Sequence, residues 1–598
     1  MCGINGIFAY GAGVAPPQPR ELLATRDHMR ARGPDGEGAW WSPDGLVGLA
    51  HRRLAVIDLA DRAAQPMRLP EADLTLVFNG EIYNHRELRA ELEARGERFV
   101  TQSDTEVILR LYAHEGVAML RRLRGMFALA LWDGRKGGLL LARDPYGIKP
   151  LYYADDGGAF RFASQVKALM AGGGVEDTID PAGWVGFHIF GHVPEPFTLH
   201  RNIQAAPAGT AIWVGRDGVS APAVYTSLAR ILAEAPPPDA PLNEVLRGAA
   251  LDSVRSHLLA DVEVGLFLSA GVDSGALLDL MRQAGHGAPR ALTLVYPDFS
   301  GDPRDEGPLA AAMAKAQGAR HVLRRVDQAE FEADLPAILS AMDQPSIDGI
   351  NTWFVAKAAR EQGLKVAISG VGGDELLAGY STFQTLPRLL RRARPFTHVP
   401  GLATFTHAAL SVFAPGPVRR NPKVLGVLRH ARSWGGAYML RRAVRLPAEL
   451  DAIMDPEMLR TGLERLNPVD RLDGLLEPDP GCDNGRVALL ESRAYLRDQL
   501  LRDADWAGMA HGVEIRTPLV DIDLFRAVAP HIAGLSPGDG KRALANATEL
   551  GLPMEVLKRS KTGFAIPAAH WALGPHGPDR VQSRRWALSV AEAFRPPG

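Results

Sequence analysis

A cysteine directly behind the initiator methionine opens the run Met1-Cys2-Gly3-Ile4-Asn5-Gly6-Ile7-Phe8. Removal of Met1 would leave Cys2 as the amino terminus, carrying a thiol nucleophile and, on the same residue, an α-amine whose reference pKa of about 7.7–8.0 suits a general base. No partner histidine is then needed. Alone, a small residue at position two suits nothing more than methionine removal, but further residues supply what thiol attack on a carboxamide requires. The run Asn79-Gly80-Glu81-Ile82-Tyr83-Asn84-His85, read as lying just after a strand, offers a side-chain amide and a glycine N–H to an oxyanion. An amino-acid substrate must also be held at its charged end. Arg53 can pair a carboxylate with its planar fork, and Glu81 or Asp104 can receive an ammonium group.

A second set of residues suits an anionic ligand. The turn Leu268-Ser269-Ala270-Gly271-Val272-Asp273-Ser274-Gly275 lies between an apolar run and a helical one, so small residues let backbone N–H groups approach an anion at a helix N-terminus. It lacks the Gly-Lys-Ser/Thr ending of a Walker loop and is not Gly-x-Gly-x-x-Gly. A second loop, Ser369-Gly370-Val371-Gly372-Gly373-Asp374-Glu375, also follows an apolar run and precedes a helix. Two such loops can face one nucleotide. Asp273 and Asp374 are then hard oxygen ligands for Mg²⁺ on a triphosphate, and Lys541 is a cation for the leaving pyrophosphate.

These residues need two kinds of scaffold. Up to about residue 215, short β-prone runs (46–50, 74–78, 127–132, 139–142) separated by Gly, Pro and Asp turns predict antiparallel sheet, with helices over 19–32 and 104–115. Pro236-Pro237-Pro238 marks a linker within 216–241. Beyond it, helix 242–259, strands 264–268, 291–295, 321–326 and 365–368 and helix 306–317 alternate, which predicts a doubly wound parallel sheet with ligands at the carboxyl ends of its strands. The fold class is thus α+β followed by α/β, with a helical insertion around 384–490, a second domain spanning 242–575 and a tail over 576–598. A chain of 598 residues is too long for one ordinary core. Its 67 basic and 69 acidic side chains leave a net charge of −2, which gives no electrostatic argument for nucleic acid. Two cysteines, Cys2 and Cys482, make no disulfide framework and fit a cytoplasmic protein. Neither a secretory signal nor an apolar run near the ~20 residues of a spanning helix is present in the sequence.

The segments at Cys2, 51–58, 79–85, 103–107 and 143–153 resemble the class II glutamine amidotransferases, which share an N-terminal nucleophile fold. The resemblance implies that Cys2 attacks the side-chain amide of glutamine, that Asn79 and Gly80 form the oxyanion hole, and that Arg53, Leu54, Val56, Glu81 and Asp104 bind the amino acid. Gln165 departs from the family's usual Glu and puts ammonia transfer in question. The turn at 268–275 resembles the pyrophosphate loop of the N-type ATP pyrophosphatases, usually Ser-Gly-Gly-x-Asp-Ser-Ser/Thr. Ala270 and Gly275 are departures, the latter removing a hydroxyl that could touch phosphate. With the loop at 369–375, residues 500–516 and Lys561-Thr562-Gly563-Phe564, the chain is similar to the glutamine-hydrolysing asparagine synthetases over nearly its whole length.

That resemblance implies ATP and Mg²⁺ as cofactors. ATP would be bound by Phe267, Leu268, Ser269, Gly271, Asp273, Ser274, Leu294, Ser369 and Gly370, with Lys541 catalytic. It also implies small-molecule partners (glutamine, ATP and a carboxylate acceptor), and it leaves room for a homodimer. Aspartate is the default acceptor, amidated through an acyl-adenylate. Val371 stands where asparagine synthetases carry Glu, so a sugar acid of an envelope polysaccharide is the alternative; a non-catalytic scaffold would have lost Cys2, Asp273 or Asp374. Basic residues flanking the moderately apolar stretch 399–418 admit a lipid-surface contact, against which a helical hairpin covering the synthetase domain is the preferred reading.

Overall fold

The computed structural model describes residues 2–397, 399–419, 421–559, 567, 570, 571 and 579–595. The expectation at Lys561-Thr562-Gly563-Phe564 and the processing of Met1 lie outside the described residues.

Two antiparallel sheets face each other in the N-terminal half. In the first, strand Gly3–Ala9 is central, between Ala159–Ala163 and Val47–Arg53, with Tyr152–Asp155, Gln204–Ala205 and Gly36–Trp41 outside them. The second runs Gly218–Val219, Thr210–Gly215, Gly138–Arg143, Gly125–Asp133, Leu74–Ile82, Met67–Leu69. Apolar side chains from both, among them Ile4, Phe8, Val77, Leu141 and Phe162, form a common core between them, as expected for stacked sheets with alternating faces. Helix Asp104–Glu115 has the predicted bounds because Ser103 caps it, its hydroxyl accepting from the Thr105 N–H. The helix from Pro19 stops at His28, four residues short of the prediction.

The expected linker 216–241 is partly structured: strands Gly218–Val219 and Ala223–Val224 extend the second sheet, and helix Leu228–Ala233 buries Leu228 and Leu232. The second half holds five parallel strands in the order Arg320–Arg325, Arg290–Val295, Val264–Phe267, Val366–Ile368, Glu514–Arg516. Chain order reverses between Val264–Phe267 and Val366–Ile368, so the loops leaving these two neighbours open a crevice at the switch point. The protein is therefore α+β followed by α/β. The expected tail is not loose in its described part: helix Asp579–Ala593 buries Trp586 and Val590 in a core with Phe331 and Trp571.

Candidate active sites

Cys2 stands at the start of the central strand of the first sheet, and Asn79 lies on a strand of the second. The Cys2 backbone N–H donates to Asn79 Oδ1 at 2.8 Å. Asn79 is within strand Leu74–Ile82, which continues through Asn79, Gly80 and Glu81 instead of ending before them; the pairing of this strand with Gly125–Asp133 extends to Ile82 opposite Gly125. A Cβ on Gly80 would lie 2.1 Å from the Met126 carbonyl oxygen, so only glycine allows this approach. Asn79 is fully buried, and its Nδ2 has no hydrogen-bond partner among the described residues. A buried amide N–H left open beside a thiol is what an oxyanion would fill. Burial pushes the Cys2 thiol up, while the Leu54 N–H facing it pulls the other way; a base is needed to make thiolate there.

The amino-acid-binding candidates are placed less uniformly. Leu54 and Val56 are buried, Val56 accepting from the Asp261 N–H at 2.9 Å. Arg53 donates to the carbonyls of Ala60, at 3.1 Å, and Asp58. Asp104 accepts from the Ile82 N–H at 2.9 Å, and burial pushes its carboxyl up. Glu81 is pushed well up, by burial first and then by Glu514. Its Oε1 lies 3.5 Å from Arg516 of the second half, which also donates to Glu514 at 2.6 Å. Its Oε2 has no hydrogen-bond partner among the described residues.

The crevice at the switch point is a cavity of about 560 Å³ whose lining includes Phe267, Leu268, Ser269, Gly271, Asp273, Ser274, Leu294, Ser369 and Gly370, together with Val371, Asp374 and Lys541. The first loop is held by its own hydroxyls: Ser274 Oγ accepts from the Ser269 N–H at 3.1 Å, and Ser269 Oγ from the Gly271 N–H at 3.2 Å. Lys541 Nζ is 2.6 Å from each carboxylate oxygen of Asp273 and 2.8 Å from Asp374 Oδ1. Against the cost of burial, the two carboxylates hold this ammonium in its charged form. One cation thus already spans the pair, and two carboxylates that share one cation are hard oxygen donors of the kind Mg²⁺ takes, its other ligands being phosphate and water. Among the described residues no third protein ligand joins them. A Cβ at Gly275 would meet Met313 Sδ at 2.9 Å and a Leu552 methyl at 3.1 Å. The hydroxyl expected to be missed there would have pointed at apolar neighbours, outside the cavity lining.

Several titratable groups were not singled out from the sequence. Asp348, Glu375, Asp503 and Tyr495 line the same cavity, Tyr495 from the π-helical stretch Glu491–Leu501. Burial, and then Asp348, pushes Asp503 up to about 7; Ser346 Oγ and Trp506 Nε1 donate to it, each at 2.8 Å. Asp343 accepts from the Val166 and Lys167 N–H groups, both at 2.9 Å, placing a carboxylate from the second half at the helix start beside Gln165. Ser346 lies 157 residues from Asp503, and Asp343 lies 177 and 176 residues from the Val166 and Lys167 N–H groups it accepts from, so no local spacing announces these contacts.

A nucleophile fold with a buried cysteine at its sheet entrance, joined to a parallel sheet with paired acidic loops, defines a glutamine amidotransferase coupled to an ATP-dependent ligase. Residues 1–226 match the family model of the glutamine amidotransferase domain, and residues 245–585 that of asparagine synthase. A putative glutamine-hydrolysing asparagine synthetase of Mycobacterium tuberculosis (strain H37Rv) is 36% identical, over 96% of this chain and 88% of that protein. Asparagine synthetase 1 of Bacillus subtilis (strain 168) is 31% identical over the same shares. The chain belongs to the glutamine-hydrolysing asparagine synthetase family.

Proposed function

We propose that the protein cleaves glutamine at Cys2 and uses the ammonia to amidate a carboxylate activated by ATP, with aspartate as the acceptor its relatives' names favour. Once Met1 is removed, the Cys2 amine takes the thiol proton, and sulfur attacks the side-chain amide. Asn79 Nδ2 and the Gly80 N–H receive the oxyanion; its collapse breaks the C–N bond, the Cys2 ammonium protonates the departing ammonia, and water hydrolyses the remaining thioester to release glutamate and the thiol. In the second centre the acceptor carboxylate displaces pyrophosphate from ATP, which turns a poor leaving group into a phosphate. Ammonia then attacks the acyl-adenylate and AMP leaves. Asp273 and Asp374 would hold Mg²⁺, which would neutralise charge on the triphosphate, and Lys541 would move from these carboxylates toward the departing pyrophosphate. The observation that carries this reading is the open Nδ2 of Asn79, whose other amide atom already holds the Cys2 N–H at 2.8 Å.

A sugar acid is the second reading, favoured by one residue. Val371 lines the cavity between Gly370 and Gly372, and valine neither orients an ammonium nor accepts a proton. An acceptor screen separates the two: pyrophosphate release is measured with glutamine, ATP and either aspartate or a panel of uronic and nucleotide-linked sugar acids. Conversion of aspartate at a kcat/KM of about 10⁴ M⁻¹s⁻¹ or above supports the first reading. Release driven only by a sugar acid replaces it with the second, and release with no carboxylate overturns both.

A further inference from the structure

Between Leu376 and Ala448 the chain contains twelve Lys and Arg residues and no Asp or Glu, in a protein whose net charge is −2. The segment leaves the body through helix Thr382–Thr397, anchored by buried Phe383, Leu386 and Leu390, with Arg388, Arg391, Arg392 and Arg394 exposed on its other side. After Gly401 comes helix Leu402–Phe413, which buries none of its residues. It packs against helices Gly416–Arg419, Pro422–Leu425 and Val427–His430 of the same segment. The chain returns through helix Trp434–Arg442, where Tyr438, Met439 and Leu440 are buried. The preferred reading of this stretch as a hairpin covering the synthetase domain is therefore corrected: its apolar helix faces outward. Phe405 is 70% exposed, Val412 62% and Phe413 85%, and their spacing of seven and eight residues places them along one helical face.

We propose that this segment docks the protein onto an anionic lipid surface, the exposed Phe405, Val412 and Phe413 entering the headgroup boundary and the arginines of the preceding helix meeting lipid phosphates. Apolar side chains left in water on a helix rimmed by unrelieved positive charge are what an interfacial helix presents. The absence of any carboxylate over the whole segment removes what would repel such a surface. A nucleic acid would use the arginines but would leave the Phe405–Phe413 face in water. The contact is peripheral, since no helix among the described residues is long and apolar enough to cross a membrane.

The test is flotation of the full chain with vesicles of phosphatidylcholine alone or mixed with phosphatidylglycerol, at low and high salt. Binding is expected only to the anionic vesicles and is expected to fall as salt rises. Two sets of variants separate the contributions, Phe405→Ser with Phe413→Ser, and Arg388→Glu with Arg391→Glu and Arg392→Glu. Each should lower partitioning by about ten-fold or more, with glutamine hydrolysis unchanged as the measure of folding. The proposal is overturned if the wild-type chain ignores anionic vesicles at low salt, or if neither variant set weakens binding. It is also overturned if the phenylalanine variant instead halves the mass in solution, which would make the face a contact between two copies. Binding to duplex DNA or RNA in place of vesicles overturns it as well.

Discussion

Arg32 and Asp505 form a two-bonded ion pair across the boundary between the halves of the chain, at 2.5 and 3.0 Å, while the same guanidinium donates through Nε to the Cys2 carbonyl oxygen at 3.2 Å. The side chains are 2% and 5% exposed. Asp505 is on helix Arg502–Ala510, two residues from Asp503 in the wall of the nucleotide cavity. A displacement of that helix is therefore felt at the nucleophile through one side chain. Arg32→Ala removes the hydrogen-bonded partner of a buried carboxylate and should cost about 3–5 kcal/mol of stability. The double variant Arg32→Met, Asp505→Leu should recover much of that loss in a denaturant titration. If the pair couples the two centres, glutamine hydrolysis in the double variant should no longer respond to ATP and acceptor; an unchanged response assigns the pair to stability alone.

Cys2→Ala should abolish glutamine hydrolysis and leave synthesis from ammonium salts largely intact, because the second centre sees only ammonia. Asn79→Ala should lower kcat for glutamine by about 10²–10³-fold, the loss of one oxyanion donor. Glutamate release read beside ammonium-dependent amide formation checks both, and full glutaminase activity in Cys2→Ala would remove the proposed nucleophile.

Asp273→Asn and Asp374→Asn should each end ATP-dependent pyrophosphate formation and spare glutamine hydrolysis. In the structure both carboxylates touch Lys541, so each variant loses a counter-charge for that partly buried ammonium as well as a metal ligand. The paired assays decide: normal pyrophosphate release from either variant means the metal site lies elsewhere.

Asp503 gives a pH signature. Burial and the neighbouring Asp348 lift its carboxyl from the ordinary 3.8 to about 7 in the fold, so the folded state holds a proton that the unfolded chain has released. Its contribution to stability is full below the unfolded value and is lost as pH rises through about 7. Between about pH 5 and 8 the Tm of Asp503→Asn should consequently fall less than that of the wild type. Parallel Tm curves would show that Asp503 is ionised throughout this range.

Local patterns carried far into this structure. The helix Asp104–Glu115 was readable because Ser103, an N-cap whose hydroxyl accepts from the Thr105 N–H, sits beside it in sequence. The loops at 268–275 and 369–375 were readable because each follows an apolar run and precedes a helix, and because their order along the chain matches the family resemblance; either one alone would read as an ordinary turn. Where the reading relied on a local break in pattern it erred: the strand through Asn79 and Gly80 continues because its partner strand Gly125–Asp133 supplies the ladder, a fact held some 45 residues away.

The sequence by itself determined the chemical inventory: a thiol at position two, an amide and glycine at 79 and 80, two aspartates at helix starts, a lysine at 541. These depend on residue type and on neighbours within a few positions. Only the tertiary structure decided how charge is distributed among them. Lys541 lies between Asp273 and Asp374, Glu81 is turned to Arg516, Arg32 joins Cys2 to Asp505, and helix Leu402–Phe413 is left uncovered. The physical reason is the same in each case. A buried charge must find an opposite partner wherever the fold brings one near, and an apolar helix is covered only if another element packs on it. The Lys541–Asp273 and Arg32–Asp505 contacts join residues 268 and 473 positions apart, separations that no spacing in the chain encodes.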